Sequence, residues 1–202
     1  MSIADISPPT SIGPDSNGML MTVEEFDAVE EWDDRYRYEL VHGVLIVTPP
    51  AGIGERSPND VLGHWLRSYQ ESHPQGSHLD DTAPEHNITA PSGRRRADRV
   101  IWAGLGRVPD YDNDVPAIAI EFVSSSSRDR KRDYIEKRQE YAAAGVREYW
   151  IIDRFRRSMT VFCGTETEHV IRESDTYTTE LLLGFELHLS RLLEISDRVT
   201  AK

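Results

Sequence analysis

A carboxylate stands in the middle of a nearly continuous apolar run, Pro116-Ala117-Ile118-Ala119-Ile120-Glu121-Phe122-Val123-Ser124. The run is short and β-rich, the pattern of a central strand buried on both faces. Burying the Glu121 charge without a partner is costly, so a cation must lie close: a metal ion, an arginine or a lysine. Asp98 poses the same problem one strand earlier, in the segment Arg95 to Ala103, between Arg94-Arg95-Arg96 and Val100-Ile101-Trp102. If these two strands pair, the carboxylates can converge on one side of the sheet. Hard oxygen ligands of this kind suit Mg²⁺ or Mn²⁺, which take few protein carboxylates and keep positions for water and phosphate. The alternative is that each acid forms an ion pair with a nearby arginine.

A basic helix is expected from about Arg128 to Ala144, ended by Gly145 just past its last turn. On it Asp133, Lys137 and Tyr141 are spaced i, i+4, i+8, which places them on one stripe. If that stripe faces the sheet, Lys137 can reach the carboxylate pair, and a lysine there can position a nucleophile or offset phosphoryl charge. The plainer reading of the same spacing is a solvated ion pair between Lys137 and Asp133.

The rest of the chain reads as α+β, a mixed sheet flanked by helices. Residues 1 to about 20, rich in turn formers, read as a disordered arm, and residues 21–202 as one domain. Thr22 with Glu25 predicts a capped short helix to about Glu31. Arg37 to Thr48 predicts two strands folded about His42-Gly43. Ser57-Pro58 looks like a helix start, and Val61, Leu62, Trp65, Leu66 and Tyr69 give an amphipathic helix over 58–72. Residues 73–92 are polar, with one strand near His86 to Thr89. Strands follow at Glu148 to Asp153, Met159 to Cys163 and His169 to Ile171, then a terminal segment from Leu181 to Leu193. Trp65, Tyr69, Tyr149 and Trp150 read as core, and His42, His64 and His86 lack metal-ligand spacing.

With 23 basic and 35 acidic side chains the net charge is −12, which argues against a protein that coats nucleic acid. It leaves room for a nuclease whose cleft is locally basic. Arg94, Arg95 and Arg96 on one side and Arg130 and Lys131 on the other are candidates for a phosphate-binding rim, or are simply solvated faces. The lone Cys163 excludes an intramolecular disulfide and reads as a structural thiol. No apolar run approaches membrane-spanning length, and the first twenty residues do not read as a signal peptide, so a cytoplasmic protein is the expectation.

Taken in order, Tyr38-Glu39-Leu40-Val41-His42-Gly43, Arg96-Ala97-Asp98, Ile120-Glu121-Phe122-Val123-Ser124 and the block from Asp133 through Lys137 and Tyr141 to Asp153 resemble the Uma2 family, within the PD-(D/E)XK nuclease superfamily. The resemblance runs over roughly residues 20 to 195, with Gly184-Phe185 before a terminal helix. It implies a restriction-endonuclease-like fold and a divalent-metal phosphodiesterase site. Asp98 then takes the first acidic position and Glu121 the second. The superfamily's usual lysine, two residues after the second acid, is Val123 here, and the resemblance moves that role to Lys137. Ala97 replaces the proline before the first acid, and Ser124 to Ser127 stand where relatives read Ser-Pro-Ser-Thr.

The expectation is therefore an endonuclease acting on DNA. Asp98, Glu121 and the carbonyl of Phe122 would bind Mg²⁺ or Mn²⁺, Lys137 would orient the attacking water, and Asp133, Tyr141 and Glu39 would give support. A homodimer is expected by analogy only. The rivals are a catalytically silent nucleic-acid- or protein-binding module with the same fold, and a buried ion-pair triad that needs no metal. DNA against RNA, and any cleavage sequence, stay open.

Overall fold

The computed structural model of the chain describes residues 11–124, 132–165 and 167–201. Among them the main sheet has eight strands, in the order β10-β9-β8-β7-β6-β3-β4, with β5 also paired to β6. These are β3 (Arg37–Val41), β4 (Val44–Thr48), β5 (Leu79–Ala90), β6 (Gly93–Ala103), β7 (Ile118–Phe122), β8 (Glu148–Asp153), β9 (Ser158–Cys163) and β10 (Thr167–Arg172). β7 and β8 run parallel, and the other pairs of this sheet are antiparallel. The expected α+β mixed sheet is what the chain forms.

The helices cover both faces. α2 (Ile53–Ser72) and α4 (Leu189–Thr200) lie over one face, closing a core of Leu62, Leu66, Ile101, Ile118, Ile120, Trp150 and Leu192. On the other face a π-helical turn, Arg132–Lys137, runs into α3 (Arg138–Ala144). There Tyr141 packs with Ala97, Val100, Trp102, Ala119 and Tyr149. All five residues of β7 are buried, as its composition requires. Among the described residues no helix is long and apolar enough to cross a membrane.

Local chemistry explains most boundaries. Thr22 and Glu25 form the reciprocal capping box that starts α1 (Val23–Asp27). His42 and Gly43 both have positive φ (50° and 75°), the two-residue turn whose twist suits a tight hairpin. Gly145 ends α3 in the left-handed conformation (φ 99°).

Three expectations need correction. Residues 1–10 lie outside the described residues, but order reaches further back than Thr22. Ile12 is fully buried, and β1 (Ser11–Ile12) pairs in parallel with β2 (Glu31–Trp32). α2 begins at Ile53, five residues before Pro58. A proline inside a helix leaves the carbonyl four residues back without its donor. Here that carbonyl belongs to Gly54, and the Ser196 hydroxyl of α4 donates to it at 2.9 Å. Finally β5 is twelve residues long. Its polar composition and Pro84 hid it, and both fit a strand that, among the described residues, has β6 as its one neighbour in the sheet.

A candidate active site at a gap in the sheet

β5 accompanies β6 over its whole length, so β3 and β7 must share β6's other edge. β3 pairs with it at Gly93 and Arg94, and β7 pairs at Arg99, Val100 and Ile101. Between these stretches, residues 95–98 have no ladder partner on that edge among the described residues. Buried backbone groups still need partners, and side chains supply them. The Arg96 amide donates to Glu39 Oε1 at 2.9 Å, and the Arg96 carbonyl accepts from Lys137 Nζ at 2.7 Å. The Phe122 amide, beyond the end of the β6–β7 ladder at Ile120, donates to Asp98 Oδ2 at 2.7 Å. Extending the register Arg99–Ile120 by one position sets Asp98 opposite Glu121.

The sheet gap thus collects most of the residues singled out by sequence. Lys137 Nζ lies 2.7 Å from Glu121 Oε1 and 3.2 Å from Glu39 Oε1, with only 2% of its side chain exposed. The Tyr141 hydroxyl donates to the same Glu121 oxygen at 3.1 Å. Asp133 is buried on the π-helical turn, with its carbonyl accepting from the Tyr149 hydroxyl. Burial pushes the Glu121 carboxyl up to about 8, with Lys137 pulling the other way and Asp98 and Asp133 adding to the rise. The Tyr141 hydroxyl is raised well above its ordinary value by burial, then by Glu121 and Glu39.

The basic residues divide. Arg95 is enclosed, 1% exposed, against Glu140 and Glu39, so it serves the interior rather than a rim. Arg94 pairs with Asp27, away from the carboxylates. Arg96 does line the cleft. Arg130 and Lys131 fall outside the described residues. Sequence gave no signal for four others. Arg37 donates to Asp98 Oδ1 at 2.9 Å and pairs with Glu85, whose other oxygen accepts from Arg96 at 2.9 Å. Asn59 of α2 donates to the Asp98 carbonyl at 2.8 Å and accepts from Arg99 at 2.6 Å, fixing the backbone behind Asp98.

A cleft of about 960 Å³ opens onto this cluster, lined by Arg37, Glu39, Arg96, Asp98, Glu121 and Lys137 among others. Among the described residues no three His, Cys, Asp or Glu side chains are spaced to hold a metal. The donor set is a pair of carboxylates. That is enough for an octahedral cation that completes its shell with a carbonyl, water and substrate phosphate. Glu121 offers room for one: both donors that reach it converge on Oε1, and none among the described residues is directed at Oε2.

The Uma2 family model, described as "Putative restriction endonuclease", matches residues 23–191. A crystal structure described as a putative nuclease belonging to DUF820, from Anabaena variabilis, shares the fold with a TM-score of 0.68. The two are 15% identical, over 87% of this chain and 99% of that one, a likeness of fold alone. No curated protein matches the chain.

Proposed function

The chain belongs to the Uma2 family, and from that premise we propose that it hydrolyses phosphodiester bonds in DNA at the gap in the β6 edge, with a divalent cation as cofactor. The observation that carries the reading is the facing pair Asp98 and Glu121, set beside a buried lysine at the floor of an open cleft. Asp98, Glu121 and the carbonyl of Phe122 would hold Mg²⁺ or Mn²⁺, which when bound supplies Lewis acidity that activates water and offsets phosphoryl charge. Lys137 orients the attacking water and stabilises charge gathering on the phosphoryl oxygens. Its ammonium donates to Glu121 Oε1 and to the Arg96 carbonyl and forms an ion pair with Glu39. The 3.2 Å contact to Glu39 is the longest of the three. Tyr141 fixes the Glu121 carboxylate, and Arg37 and Asn59 fix Asp98.

The enclosure of Lys137 by Glu121 and Glu39 supports a second reading, an ion-pair cluster that needs no metal. Calorimetric titration of Mg²⁺ and Mn²⁺ into wild type and Glu121→Ala, with plasmid nicking alongside, separates the two. The nuclease reading expects binding on the order of millimolar or tighter, metal-dependent nicking, and loss of both in the variant. Wild-type protein that binds no divalent ion would leave the ion-pair cluster standing.

A further inference from the structure

Among the described residues, four cations line the cleft: Arg37, Arg95, Arg96 and Lys137. Arg95 and Lys137 are enclosed by carboxylates, with side chains 1% and 2% exposed. Arg37 and Arg96 are different. Their side chains are 21% and 29% exposed, and they converge on one carboxylate, that of Glu85, which reaches them from β5. Bringing two guanidinium groups together is unfavourable in itself. Burial, and then the nearness of Arg37, hold Arg96 below its ordinary value. Glu85 is also placed at a backbone cost. It lies inside β5, between the ladder pairs Pro84–Arg99 and His86–Ala97, yet has a left-handed φ of 52°. Strained backbone of this kind within a strand re-aims a side chain, and it clusters near functional sites.

A carboxylate presents a planar pair of oxygens to arginine much as a phosphate does. We propose that Arg37 and Arg96 form a clamp for a backbone phosphate of the DNA, next to Asp98, and that Glu85 fills the clamp as an internal stand-in when no substrate is bound. The proposal rests on the nuclease reading for its substrate, and on the geometry of these three side chains for its site. Arg37 also donates to Asp98 Oδ1 at 2.9 Å. A phosphate drawing Arg37 away would leave that oxygen free for another partner, so phosphate binding and exposure of Asp98 are linked.

The test is binding of a short fluorescein-labelled DNA duplex to the full chain in EDTA, followed by anisotropy over a range of salt. Without divalent ions the measurement reads the phosphate contact and no cleavage. Glu85→Gln keeps the side-chain shape and removes the competing charge, and it should bind about tenfold tighter than wild type. Glu85→Gly should show the same gain, because it also removes the carboxylate and accepts the positive φ. Arg37→Gln and Arg96→Gln should each weaken binding by about tenfold and reduce the slope of log K against log salt by about one. Arg172→Gln, on the exposed distal strand β10, should change neither. Thermal unfolding of each variant shows that it is folded. The clamp is overturned if folded Glu85→Gln and Glu85→Gly bind no tighter than wild type, or if the arginine variants keep the wild-type slope. A protein that nicks plasmid but shows no Glu85 effect keeps the nuclease reading and loses the clamp. One that binds through Arg37 and Arg96 but cuts nothing does the reverse.

Discussion

The central sheet buries a cation on each face and treats the two differently. On the α3 side Lys137 sits among carboxylates, 2.7 Å from Glu121 and 3.2 Å from Glu39, at the floor of an open cleft. On the α2 side Arg99 is held by neutral groups, Asn59 Oδ1 at 2.6 Å and Thr82 Oγ1 at 3.2 Å. Its guanidinium lies over Gly63, where an added Cβ would come within 2.5 Å of it. Burial pulls Arg99 down to about 10, which leaves it charged at neutral pH. A cation ringed by acids is part of a charge balance that a metal or phosphate can enter. One held by an amide and a hydroxyl is a brace. Arg99 braces Asn59, and Asn59 holds the carbonyl of Asp98 at 2.8 Å.

Removing each cation should expose that difference. Lys137→Met takes from buried Glu39 the cation 3.2 Å away and from Glu121 the donor to its Oε1, and breaking a buried ion pair from one side costs about 3–5 kcal/mol. Urea unfolding measures this. If the site takes a divalent ion, millimolar Mg²⁺ should return part of the lost stability in the variant, because a ligand bound only to the folded state stabilises it. A full loss that Mg²⁺ leaves untouched would place Lys137 in a purely structural cluster. Arg99→Met removes a charge whose partners are neutral, so the expected cost is smaller, about 1–2 kcal/mol from the acceptors left without donors. Mg²⁺ should stabilise this variant and wild type alike, leaving the difference between them unchanged. Equal losses for the two variants would erase the distinction between balance and brace.

The α3 side of this comparison was legible in the sequence and the α2 side was not, for a physical reason. Glu121 breaks an apolar run, and Lys137 and Tyr141 repeat at helical spacing, so pattern alone puts a charge where a cation must meet it. The i, i+4, i+8 stripe survives although the turn from Arg132 to Lys137 is π-helical, and both Lys137 and Tyr141 reach the same oxygen. Arg99 carries no such mark. It sits in a strand whose neighbours are themselves charged, and its partners come from 17 and 40 residues away. Glu85 was hidden in a polar segment, one residue ahead of the strand expected near His86 to Thr89, and Arg37 among alternating arginines and tyrosines. What makes them part of the site is the gap between β3 and β7, which is a property of strand order and cannot be read from any one segment.

The finest probe of the comparison is the proton on Glu121. Burial pushes its carboxyl up to about 8, against the help of Lys137. Between the ordinary carboxylate range and that value the folded protein therefore holds a proton that the unfolded chain has released. Stability from this group is complete below the window and is lost as pH rises through it. A divalent ion must displace the same proton, so its apparent affinity should climb by about tenfold per pH unit and level off near pH 8. Tyr141→Phe removes the hydroxyl that donates to Glu121 Oε1 at 3.1 Å and favours its charged form. The expected stability cost is small, about 1 kcal/mol, but the pH at which divalent binding levels off should move upward. Calorimetric titrations of wild type and Tyr141→Phe from pH 6 to 9 read both effects. An unmoved profile would mean that the metal does not compete with a Glu121 proton that the Tyr141 hydroxyl helps to set.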